Sequence, residues 1–531
     1  MLGRDTLGAS LAFLGHVVAQ SSILNNTYST DAATNVTSIT GIKACDALLN
    51  AGLGSILTFP TESKYESSVS TYYAYSNRLL QPYCIVQPRS TREVSTVLKT
   101  LKVTSAAGNW DIAVRSGGHS DYDNNAVARG VTIDLGNFNA TTLNSTKSYQ
   151  WAGKSVLTKS IASIRPGARW GSVYSYLEQF GLSVTGGRSS HVGVGGLLVS
   201  GGASYHTQLW GLSADNIVNY EVVLADGSIM NANSYQNADL FKALKGGGSN
   251  LGIVTRFDMR TYTVPNKVYG GLVVFSFDYW DAIVDQFIKY VSSIGQSGSP
   301  DHEFVVLAWP QGGSALATML MTVSTDGATN SSNFAPLNNL PTSYDVRASQ
   351  SLSSVAETIS DTGGANNVAY TLTLQATREM MQKATTLSQD LIQELTDLGV
   401  PVSGNFVFQP LPKMLASINP GRNLFGFDEN LPSNQILFEA RIGLPAGSES
   451  YEGIVAAKLA PVIEILRAYS ASLPNHSPYL YMNYANPEQD VIGSYGAANA
   501  MILKETAAKY DPTGFFQYRI PGGWKVSRVT I

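Results

Sequence analysis

The chain is 531 residues long, 44% hydrophobic and only 14% charged, too long for one compact core and too apolar for disorder, so two or three globular domains are expected. A formal net charge of −4, without a run of lysine or arginine, excludes a phosphate backbone or an anionic membrane surface as partner. No segment reaches the roughly 20 uninterrupted apolar residues that a membrane span needs.

The first twenty residues, MLGRDTLGASLAFLGHVVAQ, place Arg4 ahead of a stretch from 7 to 19 that is apolar or small except for Ser10 and His16. Val17-Val18-Ala19 then supplies small residues for cleavage near Ala19 or Gln20, so the segment reads as a secretory signal and the protein as exported. An amphipathic first helix fits less well, because no polar face recurs at helical period. Cys45 and Cys84 are the only two cysteines, and one disulfide between them is the simple reading in an oxidising compartment. Sequons begin at Asn25, Asn35, Asn139, Asn144, Asn330 and Asn475. They are candidate glycosylation sites, although a chain rich in Ser, Thr and Asn also produces them by chance.

Residues 21–40 form a polar leader, and from 41 to about 75 the pattern turns helical and then irregular. Between Cys84 and Phe257, short β-rich runs alternate with glycine: YCIVQP, DIAVRSGG, GVTIDL, ASIRPGAR, NYEVVLADGS and LGIVTRF all read as strands ended by turns. STREVSTVLKTLKV, residues 90–103, reads as a helix capped by Ser90 or Thr91, with Val94, Val97, Leu98 and Leu101 along one face. RWGSVYSYLEQFG is a second helix, ended by Gly181. From about Met259 glycine thins out, and helical stretches at 281–295, 377–399 and 451–472 separate strands such as EFVVLAW, LATMLMTV and QILFEARIG. That change predicts a second domain, a sheet covered by longer helices. The expected division is a signal at 1–20, a leader with a helical segment at 21–76, a first domain at 77–258, a second at 259–478, and a return to the first at 479–531.

Glycine turns after strands let backbone N–H groups approach phosphate. Three occur here: RSGGHS after DIAV, GGRSSHVGVGGLLVSGGAS over 186–204, and KGGGSNLGIV over 245–254. The common nucleotide motifs fail. A Rossmann turn starting at Gly193 needs glycine where Leu198 stands, and a P-loop ending at Lys154-Ser155 needs its opening glycine where Ser148 stands. Asp121, Asp123 and Asn125 mimic a calcium loop, but Ala126 replaces its turn glycine and Thr132 its final glutamate, so no metal is expected. G-x-S-x-G and H-E-x-x-H are both absent. A lone histidine such as His119 is more often a hydrogen-bonded structural residue than a catalyst. The two glycines before it, however, leave room for its ring against a ligand, where an imidazole can tether a cofactor.

The blocks AVRSGGHS, VGVGGLLVSGGASY, GLSADNIVNYEVVLADGS, DLFKALKGGGSNLGIVTRF and YMNYANPEQ followed by YDPTGFFQ stand in this order between about Cys45 and the C-terminus. Together they resemble the secreted FAD-linked oxidoreductases of the berberine bridge enzyme type, in the vanillyl-alcohol oxidase superfamily, and fungal members above all. The resemblance implies an α+β fold: a two-part FAD-binding domain of the vanillyl-alcohol oxidase (PCMH) type and a substrate domain with an antiparallel sheet covered by helices. It implies that the ring of His119 is joined to the flavin 8α-methyl and that Arg115, Ser116, Gly117, Gly118, His119 and Ser120 wrap the pyrophosphate. Val192, Gly193, Gly195, Gly196, Gly201 and Gly202 would approach the isoalloxazine and phosphates, and Gly252, Ile253 and Val254 the adenine side. Many relatives carry a second tether, a cysteine four residues before the first glycine of G-V-G-G. Ser189 stands there, so one link is expected.

In the terminal block Tyr484 matches the tyrosine that acts as catalytic base over the flavin, with Tyr481 as a second candidate and Asn483 as a cofactor contact. Plain packing of the return crossing is a fair reading for Tyr479 and Tyr481. A phenol is a poor base at neutral pH, so donors or positive charge must stand near it. The family implies a flavoprotein oxidase in which Tyr484 takes a proton from a substrate hydroxyl or acidic C–H, hydride passes to flavin N5, and O2 reoxidises the flavin to give H2O2. The expected partners are O2 and a small organic substrate, an alcohol, a sugar or a secondary-metabolite intermediate, with the chain acting as a monomer. A flavin-bound cyclase or isomerase without net oxidation and a carbohydrate oxidase remain alternatives. A binding protein without redox function is disfavoured by His119 and Tyr484.

Overall fold

The computed structural model describes residues 30–31, 36–37, 39–106, 108–145, 149–151, 154–156, 160–312 and 316–529. The expected signal at 1–20 and the sequons at Asn25 and Asn35 lie outside them.

The first domain has two halves. A four-stranded sheet runs in the order Leu57–Thr58, Cys84–Val86, Gly130–Asp134, Asp111–Arg115, and its last three strands are parallel. Helix Thr91–Thr104 covers it because Val94, Val97, Leu98 and Leu101 recur at helical spacing, and all four are fully buried. The Ser90 side chain accepts from Glu93 N, and Glu93 reaches back to Arg89 N at 2.6 Å, which satisfies amides the helix leaves unpaired. Cys45 in helix Lys43–Asn50 is disulfide-bonded to Cys84 in the sheet, closing a separation of 39 residues.

The other half is an antiparallel sheet in the order Ile229–Asn233, Ile217–Val223, Ile253–Arg260, Ser160–Ile164, Thr141–Ser145. Its long strand Ile253–Arg260 runs through the expected boundary at Met259, and Tyr262–Thr263 still pairs with Leu182–Ser183 of the first domain. The crossing therefore falls after Thr263, because the buried alternation of that strand continues past the point where glycine thins out.

The second domain is an eight-stranded antiparallel sheet in which Val268–Ser276, Ala317–Ser324, Asp301–Trp309, Ser403–Leu411, Gln435–Leu444 and Asn366–Gln375 follow one another. Helices Trp280–Ser293, Arg378–Asp397 and Glu452–Ser472 cover one face, against Val305, Leu307, Phe406, Phe408, Phe438, Ala440 and Ile442. Side chains alternate across a strand, so the residues between these point to the opposite face, toward the first domain: His302, Phe304, Gln409, Glu439 and Arg441. The register places Val407 opposite Glu439 and Ala369 opposite Arg441. The terminal segment crosses back as expected. Tyr479, Tyr481 and Met482 join the core of the antiparallel half, while Phe515, Phe516 and Ile520 join that of the parallel half. No helix among the described residues is long and apolar enough to cross a membrane.

Candidate active site

A cleft lies between the glycine loops of the first domain and the open face of the eight-stranded sheet. Its floor begins where strand Asp111–Arg115 ends. Gly117 lies against Gly193 so closely that a Cβ on it would sit 2.6 Å from the Gly193 backbone. Gly118 takes φ +69°, and a Cβ there would meet Arg115 Nε at 2.8 Å. Arg169 ties the two loops, donating to Gly117 O at 3.0 Å and also to His191 O. The amide N–H groups of Gly117, Gly118, His119 and Ser120 have no acceptor among the described residues. Four consecutive free donors, one of them on a left-handed glycine, form a cradle of the kind that receives an anion.

The half-buried ring of His119 stacks on Tyr73, with centroids 4.0 Å apart, and bonds its own backbone; among the described residues no other residue hydrogen-bonds its nitrogens. Burial, aided by the charges of Arg441 and Arg169, pushes its pKa down to about 4, so the imidazole is neutral at physiological pH. The loop beyond it is docked to the roof. Asp121 accepts from Asn367 Nδ2 at 2.8 Å and pairs with Arg441 at 2.9 Å, and Arg441 also holds Glu439 at 2.7 Å. Burial raises both carboxyl groups above their ordinary range although Arg441 pulls them down. Tyr122 Oη donates to Ala369 O at 2.6 Å and accepts from Ala369 N at 2.8 Å.

Arg188, from the loop 186–204, crosses the cleft. Its Nη2 donates to Tyr484 Oη, its Nη1 donates to Gln409 Oε1 at 2.5 Å and lies 3.5 Å from His302 Nε2, and its guanidinium stacks 4.9 Å from the Phe304 ring centre. His302 is buried, which drives its pKa well below the ordinary value, and its Nδ1 meets Gln208 Oε1 at 3.0 Å. Tyr484 thus meets a cationic donor, the kind of neighbour that a phenol serving as a base requires. Sequence reasoning passed over Arg188, Gln409, His302, Glu439 and Arg441. The signals were a charged residue directly after Gly186-Gly187, and two charges inside the apolar run ILFEARIG.

Several expected contacts fall elsewhere. Arg115 is buried beneath the floor, donating to Ser68 O, to Ser68 Oγ at 3.1 Å and to Thr71 Oγ1 at 2.7 Å, so its guanidinium braces the loop from below and cannot wrap a ligand. Ser116 Oγ donates to Pro166 O and accepts from Gly195 N at 3.1 Å, tying loop to loop. Tyr481 is buried behind Tyr484, with its hydroxyl accepting from Ala203 N at 2.5 Å, and Asn483 Oδ1 accepts from Gly202 N at 3.1 Å. Both hold the turn at Gly201 and Gly202, whose φ values are +127° and +82°. Ile253 and Val254 are buried in two separate cores, so their side chains have nothing to offer a ligand. Val192 O accepts from Trp170 N, and a Cβ on Gly196 would meet nothing within 4 Å, which marks open space above that loop.

The sequon asparagines Asn139, Asn144, Asn330 and Asn475 are exposed, and Asn144 also donates its amide to Ser163 Oγ at 2.8 Å. Among the described residues no group of three or more His, Cys, Asp or Glu side chains is arranged to hold a metal ion. The donor set instead fits a dinucleotide with a planar ring: amides free among the described residues for a diphosphate, an open glycine loop, and a neutral imidazole beside them.

Comparison with known proteins agrees. Residues 82–233 match the FAD binding domain family. The chain is 30% identical over 502 residues to the FAD-dependent monooxygenase drtC of Aspergillus calidoustus, covering 92% of this chain and 91% of that one. It is also 30% identical over 514 residues to the FAD-dependent monooxygenase sdcF of Emericella nidulans, covering 91% and 98%. Two solved structures share the fold. Xylooligosaccharide oxidase from Myceliophthora thermophila superposes with TM-score 0.71 at 21% identity, covering 92% and 100% of the two chains. Berberine bridge enzyme from Eschscholzia californica does so with TM-score 0.69 at 17% identity, covering 90% and 98%.

Proposed function

The chain belongs to the FAD-linked oxidoreductases of the berberine bridge enzyme type, in the vanillyl-alcohol oxidase superfamily, together with FAD-dependent monooxygenases of fungal secondary metabolism, and from that membership we propose an oxidase that withdraws two electrons and two protons, a hydride and a proton, from a small organic substrate. FAD, when bound in the cleft, would supply the acceptor for the hydride, with molecular oxygen as the final acceptor giving hydrogen peroxide.

The chain's own residues have separable tasks. The free amides from Gly117 to Ser120 bind the diphosphate, and the neutral His119 ring is the single attachment point, since Ser189 replaces the second. Tyr484 takes the proton from a substrate hydroxyl or acidic C–H at its phenolic oxygen, and Arg188, donating a hydrogen bond to that oxygen, fixes its position. Gln409 and Phe304 keep the guanidinium in place. Tyr481 and Asn483 act as positioning residues for the turn beneath. The disulfide Cys45–Cys84 supports an exported enzyme, for which a cofactor that cannot be lost is an advantage.

The observation that carries this reading is the Arg188–Tyr484 contact, together with a neutral His119 in the glycine loop. Its test is purified protein that is yellow and stays yellow through acid precipitation, forms peroxide with a member of a panel of sugars, alcohols and phenolic polyketides, and loses its acid-stable pigment as His119→Ala. Colourless protein that cannot be reconstituted with FAD sinks the proposal. Because relatives are named monooxygenases, the panel is repeated under isotopically labelled oxygen: label confined to peroxide supports an oxidase, and label in the product supports oxygen insertion.

A further inference from the structure

Away from the cleft, a surface pocket of about 390 Å³ opens where the two domains meet, between Tyr235, Phe241 and Lys242 of the first and Gly421 and Arg422 of the second. That volume lies within the roughly 300–1,000 Å³ of small-molecule sites. Its walls are held in place from behind. Asn233 Oδ1 accepts from the amides of Tyr235 and Gln236, both at 3.0 Å, and this turn presents Tyr235 outward, 73% exposed. Phe241 stays in the core, with Lys245 Nζ 4.3 Å from its ring centre. Asn423 donates to Asp215 Oδ1 at 2.7 Å and Leu424 N to Lys245 O at 3.1 Å, so the segment that carries Arg422 is tied to the first domain. Lys242 and Arg422 are both partly withdrawn from water, and neither side chain has an ion pair or a hydrogen bond among the described residues. The neighbouring acids are taken: Asp239, three residues before Lys242, is held by Lys509 at 2.6 Å and Tyr510 at 2.9 Å, and buried Asp215 faces Lys245. A charge drawn partly out of water is costly until a ligand brings its opposite.

We propose that this pocket binds a small aromatic carboxylate, its carboxylate on Arg422 and Lys242 and its ring against Tyr235. The planar fork of a guanidinium matches the two oxygens of a carboxylate, and an ammonium adds a second, less directional charge. The exposed face of Tyr235 offers an aromatic body a surface to stack on. Acetate answers the cations but leaves that ring wet, and a neutral aromatic covers the ring but leaves the cations unanswered. The site takes no part in the chemistry of the cleft, and the proposal does not depend on the oxidase reading.

The test is calorimetric titration of the purified holoenzyme at pH 7 with 2-naphthoate, with 2-naphthamide, which has the same shape and no charge, and with acetate, which has the charge and no ring. The expected result is binding of 2-naphthoate at least about tenfold tighter than either, the scale of one charge-assisted hydrogen bond. The preference over the amide should vanish in Arg422→Gln, survive in part in Arg422→Lys and weaken in Lys242→Gln, and the preference over acetate should shrink in Tyr235→Ala. Both should persist in Arg188→Gln, because that residue lies in the cleft. No binding of 2-naphthoate at millimolar concentration, equal affinity for either analogue, or a charge preference that survives Arg422→Gln in protein whose thermal melt is unchanged overturns the proposal. A preference lost in Arg188→Gln also overturns it, since the anion would then sit in the cleft.

Discussion

The floor and the roof of the cleft are built by different physics. The floor is backbone: glycines at Gly117 and Gly193 let two loops touch, and free amides from Gly117 to Ser120 line it. The roof is side chains, one or two each from strands Asp301–Trp309, Ser403–Leu411 and Gln435–Leu444, and it is joined to the floor by Arg441 and Arg188. A floor made of backbone depends on the absence of side chains and tolerates almost no addition. A roof made of side chains can change chemistry one residue at a time while the sheet stands, which fits a cofactor site beneath a substrate site.

The largest expected effect is at the junction. Tyr484→Phe removes the proton acceptor while keeping the ring, and kcat is expected to fall about 10²- to 10⁴-fold with flavin content unchanged, measured by peroxide release alongside the flavin absorbance. A fall in flavin content instead would make Tyr484 part of the floor. Arg441→Gln leaves Asp121 and Glu439 buried without their cation and is expected to cost about 3 kcal/mol of unfolding free energy, read from denaturant melts. A neutral outcome would mean that floor and roof are not coupled there.

Gly117→Ala pushes a methyl into the Gly193 backbone, and the floor has nowhere to move. A loss of about 2 kcal/mol together with reduced flavin retention is expected in thermal melts followed by flavin release. An effect confined to a pH window lies behind the roof, on the helix-facing side, where Glu303 is buried and hydrogen-bonded by Gln286 Nε2 at 2.9 Å. Burial lifts its pKa from 4.5 to about 8. The folded state therefore binds more protons than the unfolded state between those values, and this group's contribution to stability falls as pH rises from 4.5 through 8. Glu303→Gln should flatten that decline in melts taken across the window, and an unchanged slope would place its origin elsewhere.

The floor was largely legible in advance. Ser90 as helix cap, the strands from Cys84 to Phe257, the three glycine turns and the joining of Cys45 to Cys84 are local patterns, and each appears where the residues put it. Arg115, which the family resemblance placed on the pyrophosphate, is turned beneath the loop onto Ser68 and Thr71 by the alternation of its strand. Asp121, set aside once it failed as a calcium ligand, has its partner Arg441 320 residues away.

The amino-acid sequence by itself determined the glycine floor, the covalent staple and the family, because turns, caps and backbone clearance are set by neighbours a few residues apart. Only the tertiary structure decided which charges meet across the cleft: that Arg441 pairs with Asp121 and Glu439, and that Arg188 lies against Tyr484. Those relations join residues separated by 296 and 320 positions, and the register of strands far apart in the chain, which no local pattern encodes, brings them within hydrogen-bond reach.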